Sequence, residues 1–384
     1  MTPAQIGLLI AVAAAVTFAL TPVVRRASLR LGLVDRPDDR KVHTNAVPRL
    51  GGVAIFGGFC AAAGLHWSLQ RYTTWPDVFD FGSGPVLGVM AGGAVIFAVG
   101  LLDDVRTIGP GAKLVGQMLA AGIVVASGVR IDFVGNPFGG GLIVLGLLSI
   151  PLTLVYIVGF TNVINLIDGL DGLAAGVTAI AAATFLLLAV QGNRPEAVVL
   201  AAALIGACAG FLRYNFHPAT IFMGDSGAMF LGFMLSAISL LGVMKSVAAI
   251  ALAAPLMIIG VPVFDTASAI IRRLRHNRPI QEADRGHIHH RLLGRGFDQR
   301  QTVLIIYVWS AALGVGAYAM RWAATPVKLA SFAVLAALSG FMAYWLGLFE
   351  AAHHHADHEH ATGGTDEDAV APRPPAGDPH AGGS

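Results

Sequence analysis

Charge is what this chain has least of. Only 12% of its 384 residues are Asp, Glu, Lys or Arg, 55% are apolar, and the mean hydropathy is +0.69. Soluble globular domains carry about a quarter of their residues as charges, so that class is excluded. Cysteine is almost missing. Cys60 and Cys208 both fall within apolar runs, where a free thiol behaves as a small hydrophobe, so neither a disulfide nor a thiolate metal site is expected. No repeat of fixed period is present, which argues against the inverted-repeat plan of many ion-coupled transporters. The first apolar run lacks a basic leader and a cleavage site, so it reads as an uncleaved span.

What fills the chain instead is apolar runs of about the length that crosses a bilayer. They lie at 3–24, 50–70, 84–102, 112–129, 141–160, 172–190, 196–212, 223–243, 247–271, 302–320 and 327–349. The expected fold class is an all-α polytopic integral membrane protein with about eleven transmembrane helices, its membrane-embedded domain covering 1–349. The 47 glycines suit close helix–helix contact in a membrane. Gly260, Pro262 and Asp265 interrupt the ninth run, predicting a broken helix there. Ile131–Gly141 reads as a small hairpin or turn before the fifth span. Residues 350–384 change to His, Asp, Glu, Gly and Pro, a composition that builds no core and predicts a disordered tail.

Arginine and lysine set the orientation. The connections 25–49, 103–113, 161–171, 213–222 and 272–301 hold 18 of them; the opposite connections hold Arg71, Arg130, Arg194, Lys245, Arg321 and Lys328. Positive-inside therefore puts the N-terminus outside and the first set of connections in the cytoplasm.

Five polar clusters interrupt the chain, and all five fall on that cytoplasmic side. Ionisable groups cost a few kcal/mol at bilayer depth, so a one-sided collection of them is a functional site by default. The first, D35-R-P-D-D-R-K-V-H-T-N-A-V-P-R-L-G-G, sets Arg36, Arg40, Lys41, His43 and Arg49 before a Gly pair that opens a helix, which suits a phosphate. The second pairs Asp103 with Asp104 at a helix C-terminus, where the dipole disfavours both, and follows with Lys113 at the next helix start. A metal or proton-transfer role explains the two acids, and Lys113 suits a diphosphate.

The third, N162-V-I-N-L-I-D-G-L-D-G-L, is the most specific. Asn162, Asn165 and Asp168 at i, i+3 and i+6 form one stripe on a helix, continued by Asp171. Amide and carboxylate oxygens on one stripe suit a hard cation such as Mg²⁺ with a phosphorylated ligand. The fourth, N215-F-H-P-A-T-I-F-M-G-D-S-G, places Asn215, Phe222 and the Gly-flanked Asp225 at the start of the eighth span; the amide and aromatic suit a base. The fifth, D284-R-G-H-I-H-H-R-L-L, gathers Arg285, His287, His289, His290 and Arg291 in the longest inner loop. With no Cys and no tetrahedral ligand spacing, phosphate binding fits this loop better than zinc.

In order, spacing and membrane side, these five motifs resemble the polyprenyl-phosphate N-acetylhexosamine-1-phosphate transferases, the superfamily of MraY, WecA and TagO, over about residues 35–305. The resemblance implies transfer of a sugar 1-phosphate from a UDP-sugar to a polyprenyl phosphate with release of UMP and with Mg²⁺ (or Mn²⁺), in a bacterial cytoplasmic membrane. It implies Asp225 and Asn165 as metal ligands, and Asp103, Asp104, Asp168 and His287 as catalytic residues. Lys41, His43, Lys113, Asn162, Asp171, Asn215, Phe222, Arg285, His289 and His290 would bind substrate. A homodimer is likewise implied, and no nucleic-acid partner. The stretches Asp284–Leu293 and Pro48–Gly52 resemble the WecA/TagO side, hence UDP-GlcNAc as donor and a surface-polysaccharide or teichoic-acid-type polymer as product. UDP-MurNAc-pentapeptide is the alternative donor; an ion-coupled transporter is the remote one. A CDP-alcohol phosphatidyltransferase is disfavoured, because after Asp168 the chain lacks the Ala-Arg step and the further Asp residues of that motif.

Overall fold

The computed structural model describes residues 1–35, 46–79, 84–135, 141–242, 259–275, 288–320 and 325–345. The described residues form twelve α-helices: α1 (Pro3–Arg30), α2 (Gly51–Tyr72), α3 (Pro85–Arg106), α4 (Pro110–Ala126), α5 (Ser149–Leu166), α6 (Leu173–Gln191), α7 (Pro195–Asn215), α8 (Gly224–Gly242), α9 (Gly260–Arg275), α10 (Ile288–Gly294), α11 (Gln299–Ala319) and α12 (Thr325–Trp345). Local chemistry sets many of the starts. Pro3, Pro85, Pro110 and Pro195 open α1, α3, α4 and α7, where the missing N–H costs nothing. Thr2 with Gln5 and Asp298 with Gln301 close capping boxes on α1 and α11.

Among the described residues, eight helices are long and apolar enough to cross a membrane: α1, α2, α3, α5 with the 3₁₀ turn that precedes it, α6, α7, α8 and α11. α4 and the apolar part of α12 (333–342) are shorter. A multi-span helical protein is thus what the structure shows. The fifth span starts later than expected, because Leu142–Val144 is a strand, β4, and Gly146–Leu148 a 3₁₀ turn. An unbroken apolar string cannot distinguish a short strand from a helix by hydropathy alone. β4 pairs antiparallel with β3 (Phe133–Gly135), Val134 opposite Ile143, so the second strand of this hairpin lies beyond the expected 131–141 stretch. A second small ribbon pairs β1 (Val34–Asp35) with β2 (Val47–Pro48). Of the expected ninth span, 247–258 lies outside the described residues, as does the 350–384 tail. α9 begins at Gly260 and ends in Arg272, Arg273 and Arg275.

The core is built around α8, in which every residue from Ser226 to Gly242 is buried. It packs against α2, α3, α5, α6 and α7. Such enclosure is possible because glycines let backbones meet. A Cβ on Gly52 of α2 would stand 2.3 Å from the Gly227 amide nitrogen, and one on Gly232 would stand 2.7 Å from the Phe160 carbonyl oxygen of α5. Around this centre α1 packs on α7 through Gly206 and Gly210, a G-x-x-x-G pair whose added Cβ atoms would each lie 2.3 Å from a backbone oxygen, of Ile10 and Ala14.

The contact makes a specific demand on sequence. Gly206→Ala and Gly210→Ala should each destabilise the detergent-solubilised protein by about 1–3 kcal/mol through overpacking. Gly64→Ala on α2, with nothing within 4 Å of the new methyl, should leave the melting temperature unchanged or slightly higher. Thermal unfolding of the three variants in parallel checks this, and equal behaviour would refute it.

Candidate active site

Four of the five polar clusters meet where helix ends converge on one face. The turn before α2 is laced to the segment before α8: the Phe222 N–H donates to the Pro48 carbonyl (2.7 Å), the Gly51 N–H to the Phe222 carbonyl (2.9 Å) and the Gly52 N–H to the Met223 carbonyl (2.8 Å). Arg49 donates through a terminal guanidinium nitrogen to the Asp104 carbonyl (2.6 Å) at the end of α3. The Asp104 carboxylate in turn accepts from the Asp225 N–H (2.8 Å), the Ser226 N–H (3.0 Å) and the Ser226 hydroxyl (2.6 Å). It therefore caps α8, where free N–H groups and the positive end of the helix dipole favour a carboxylate. Gly224, at φ +70°, makes the turn that presents these groups; a Cβ there would collide with the Arg49 carbonyl at 2.3 Å and with both Asp104 oxygens at 2.6 Å.

The two neighbouring acids thus point apart. Asp104 is 3% exposed and turned into α8. Asp103 faces the other way: Oδ1 accepts from the Ile108 N–H (2.8 Å), and Oδ2 is 2.8 Å from the Lys113 ammonium. Lys113 also pairs with Asp225 Oδ2, so one ammonium joins the carboxylates of α3 and α8. A cation between two carboxylates in this position balances charge that Asp103 and Asp225 could not hold alone.

The expected helical stripe Asn162, Asn165, Asp168 is only partly realised, because α5 ends at Leu166 and Asp168 lies in the turn that follows. The Gly-rich D-G-L-D-G stretch turns here, with Gly172 at φ +80°. Asn162 faces α4, where its amide exchanges hydrogen bonds with Gln117 (Nδ2–H to Oε1 2.7 Å; Gln117 Nε2–H to Oδ1 3.2 Å). Among the described residues the Asn165 and Asp168 side chains make no hydrogen bond or ion pair. Asp168 is half-buried; desolvation first, then the charges of Asp225, Asp104 and Asp171, push its carboxyl up to about 8. A carboxylate among three others with no counter-charge of its own is a place for a cation.

Asp171 and Asn215 hold the loops. Asp171 Oδ2 accepts from the Ala219 N–H (2.9 Å) and bonds His217 Nδ1 (2.8 Å). Asn215, 2% exposed, accepts from the Gly172 N–H (3.1 Å) and donates to the Ile221 carbonyl (3.0 Å), fixing the 168–172 turn to the 216–221 loop. Tyr307 of α11 donates to the Gly172 carbonyl (2.5 Å). Phe222 is half-buried between the Pro48 and Gly51 backbones. Lys41, His43, Arg285 and His287 lie outside the described residues, as do the side chains of His289 and His290 in α10. That helix is tied to α9 by the Ile288 N–H, which donates to the buried Asp265 (2.8 Å).

Gln117, Ser226, His217 and Tyr307 are the parts that sequence reasoning passed over. Gln117 had a signal, as a lone amide inside an apolar run one turn after Lys113; Ser226 follows Asp225 directly; Tyr307 had none. No group of three or more His, Cys, Asp or Glu among the described residues forms a closed metal site. Asp225, Asp168 and Asn165 carry oxygen donors of the kind a hard cation takes.

These placements separate the acids by experiment. Asp168 has its carboxyl raised in the folded state above the ordinary value near 4, so folding favours its protonated form. The stability it leaves intact below pH 4 is lost as pH rises towards about 8. Metal-free Asp168→Asn should therefore melt above wild type at pH 8, the gap closing towards pH 4. Asp104→Ala should melt well below wild type, by on the order of 3 kcal/mol, since it strips partners from buried donors at the α8 N-terminus. Melting curves across pH decide both; a stabilised Asp104→Ala or a destabilised Asp168→Asn contradicts the assignment.

Residues 86–243, from α3 to the end of α8, match glycosyl transferase family 4. The chain is 40% identical over 305 residues to the probable undecaprenyl-phosphate N-acetylglucosaminyl 1-phosphate transferase of Bacillus subtilis (strain 168), covering 79% of this chain and 81% of that relative. It is 39% identical over 326 residues to the decaprenyl-phosphate N-acetylglucosaminephosphotransferase of Mycobacterium tuberculosis (strain ATCC 25618 / H37Rv), covering 79% and 80%. With the undecaprenyl-phosphate alpha-N-acetylglucosaminyl 1-phosphate transferase of Yersinia pestis it shares 28% over 328 residues, covering 83% and 86%. A convergent acidic cluster at the helix ends, with similarity of this extent, means that the chain belongs to glycosyl transferase family 4, among the membrane enzymes that include the polyprenyl-phosphate N-acetylglucosamine-1-phosphate transferases.

Proposed function

We propose that this protein transfers GlcNAc-1-phosphate from UDP-GlcNAc to a polyprenyl phosphate such as undecaprenyl phosphate, releasing UMP, at the cytoplasmic face of a bacterial membrane. The observation that carries the reading is the Asp103–Lys113–Asp225 bridge at the N-terminus of the enclosed helix α8, with the uncompensated Asp168 beside it. Both substrates are phosphates, and phosphoryl transfer needs positioning and charge neutralisation more than covalent help. The Arg/Lys asymmetry of the connections supports the cytoplasmic orientation. The names of the relatives support GlcNAc and a polyprenyl acceptor.

In this reading a lipid phosphate oxygen attacks the phosphorus that carries the sugar. A new P–O bond forms as the bond from that phosphorus to the bridging oxygen breaks, and UMP leaves with the electron pair. Asp103, the more open of the paired acids, takes any proton left on the lipid phosphate. Lys113 moves its charge from the two carboxylates to the arriving diphosphate, while Asp104 and Asn215 hold α8 and the 168–172 turn in place. Mg²⁺, when bound, supplies neutralisation of the diphosphate oxygens, and Asp225 and Asp168, with Asn165, are the residues that would hold it.

Purified protein with radiolabelled UDP-GlcNAc, undecaprenyl phosphate and Mg²⁺ should yield labelled lipid, and chelation should abolish it. Asp225→Ala should keep less than about a tenth of the rate, a loss above roughly 1.4 kcal/mol. Preference for UDP-MurNAc-pentapeptide in the same assay would overturn the donor.

Direct attack also requires the acceptor for every partial reaction. Lipid-free enzyme should not exchange labelled UMP into UDP-GlcNAc. Robust exchange without lipid would instead indicate a sugar-phosphoryl enzyme on a carboxylate.

A further inference from the structure

A cavity of about 460 Å³ opens between the end of α7, the 216–220 loop and the start of α11. Its walls include Arg213, Tyr214, Phe216, His217, Thr220 and Arg300, and no acidic residue lines it. None of Asp103, Lys113, Asp168 or Asp225 lines it.

Among the described residues, the two arginines that line this cavity, Arg213 and Arg300, have no carboxylate to neutralise them. Arg300 Nε donates to the His217 carbonyl (3.2 Å), and Arg25 Nε donates to the Thr220 carbonyl (3.1 Å). Each bond uses one of five guanidinium donors and fixes the plane of the rest. Arg25, Arg213 and Arg300 have no acidic partner within 4.0 Å among the described residues. The nearby carboxylates are already engaged: Asp171 by the Ala219 N–H and His217, and Asp298 by the Gln301 N–H at the start of α11. Arginines that only anchor a helix end reach outward into headgroups. Here two of them converge on a concavity with two aromatic walls, an arrangement suited to a phosphate with an organic substituent.

We propose that this cavity binds a phosphate-bearing anion, with Arg213 and Arg300 as its charged contacts. The anion comes from a phospholipid headgroup or from a soluble phosphate. Because His217 belongs both to the cavity wall and to the Asp171 pair, an occupied cavity braces the 168–172 turn against the 216–221 loop.

The test is thermal unfolding of full-length protein in nanodiscs. Phosphatidylcholine discs, with or without added inorganic phosphate, are compared with discs that also contain phosphatidylglycerol. Wild type is set beside Arg213→Gln/Arg300→Gln and beside Arg26→Gln/Arg30→Gln, which removes the same charge from the exposed end of α1. Stabilisation of wild type and of the α1 variant, with half-saturation about tenfold weaker or lost in the cavity variant, is the expected result. Appearance in the phosphatidylglycerol arm assigns a lipid headgroup; appearance in the phosphate arm assigns a soluble ligand. Phosphate held only by the transfer site would stabilise all three proteins alike, so equal curves overturn the cavity without touching the proposed reaction. Equal losses in the two double variants also overturn it, since they mark a general charge effect. Should the cavity double variant fail to melt cooperatively in phosphatidylcholine, Arg213→Gln alone, which removes an exposed side chain with no partner among the described residues, replaces it under the same criteria.

Discussion

One carboxylate holds the site together. Asp104 ends α3 and receives the first N–H groups of α8, so the chain crosses from the second polar cluster to the fourth through three hydrogen bonds. Everything else near the site is referenced to this joint. Arg49 adds the turn before α2 by bonding the same residue's carbonyl, and Gly224 makes the approach possible by having no side chain. The positions of Asp103, on the residue before, and of Asp225, on the helix start, follow from it. Lys113 then spans a gap whose width Asp104 has fixed.

That arrangement resolves an apparent conflict in the sequence. Two adjacent acids at a helix C-terminus oppose each other and the dipole of α3. In the fold, one of them is at the favourable end of a different helix, and the other is paired with an ammonium. The cost of Asp-Asp in one element is therefore offset by two others, which makes the pair a device for joining helices distant in sequence. Asp168 is the exception: it has three acidic neighbours and no joint to make.

Much of this was legible without coordinates. Apolar runs and Arg/Lys asymmetry are enough to place Asp103, Asp168, Asp171 and Asp225 at one face, because each follows or precedes a span of known direction. Periodicity was less reliable at the ends of spans. It extended α5 through Asp168, although Gly169 and Gly172 mark a turn, and it counted Leu142–Val144 as helix because strand and helix share the same apolar alphabet. What could not be read was which side chains serve the framework and which stay open. Asn215 and Asn162 resemble Asn165 in type and spacing, yet two of them are spent on Gly172, Ile221 and Gln117. Only the partner distinguishes them, and partners come from other helices.

The enclosure of α8 has a bearing on how the protein is made. Its hydropathy, 1.4, is well below the 2.3 of α1 and α6, and Ser226, Ser236 and Ser239 lie buried along it. A segment of this kind enters lipid less readily than α1 or α6 when it leaves the ribosome, and favourable surroundings have to come from protein. Seven helices precede it in the chain, and five of them, α2, α3, α5, α6 and α7, form its cage. Order of synthesis thus supplies the receptacle before the insert, so that the helix that bears Asp225 arrives after the five that enclose it.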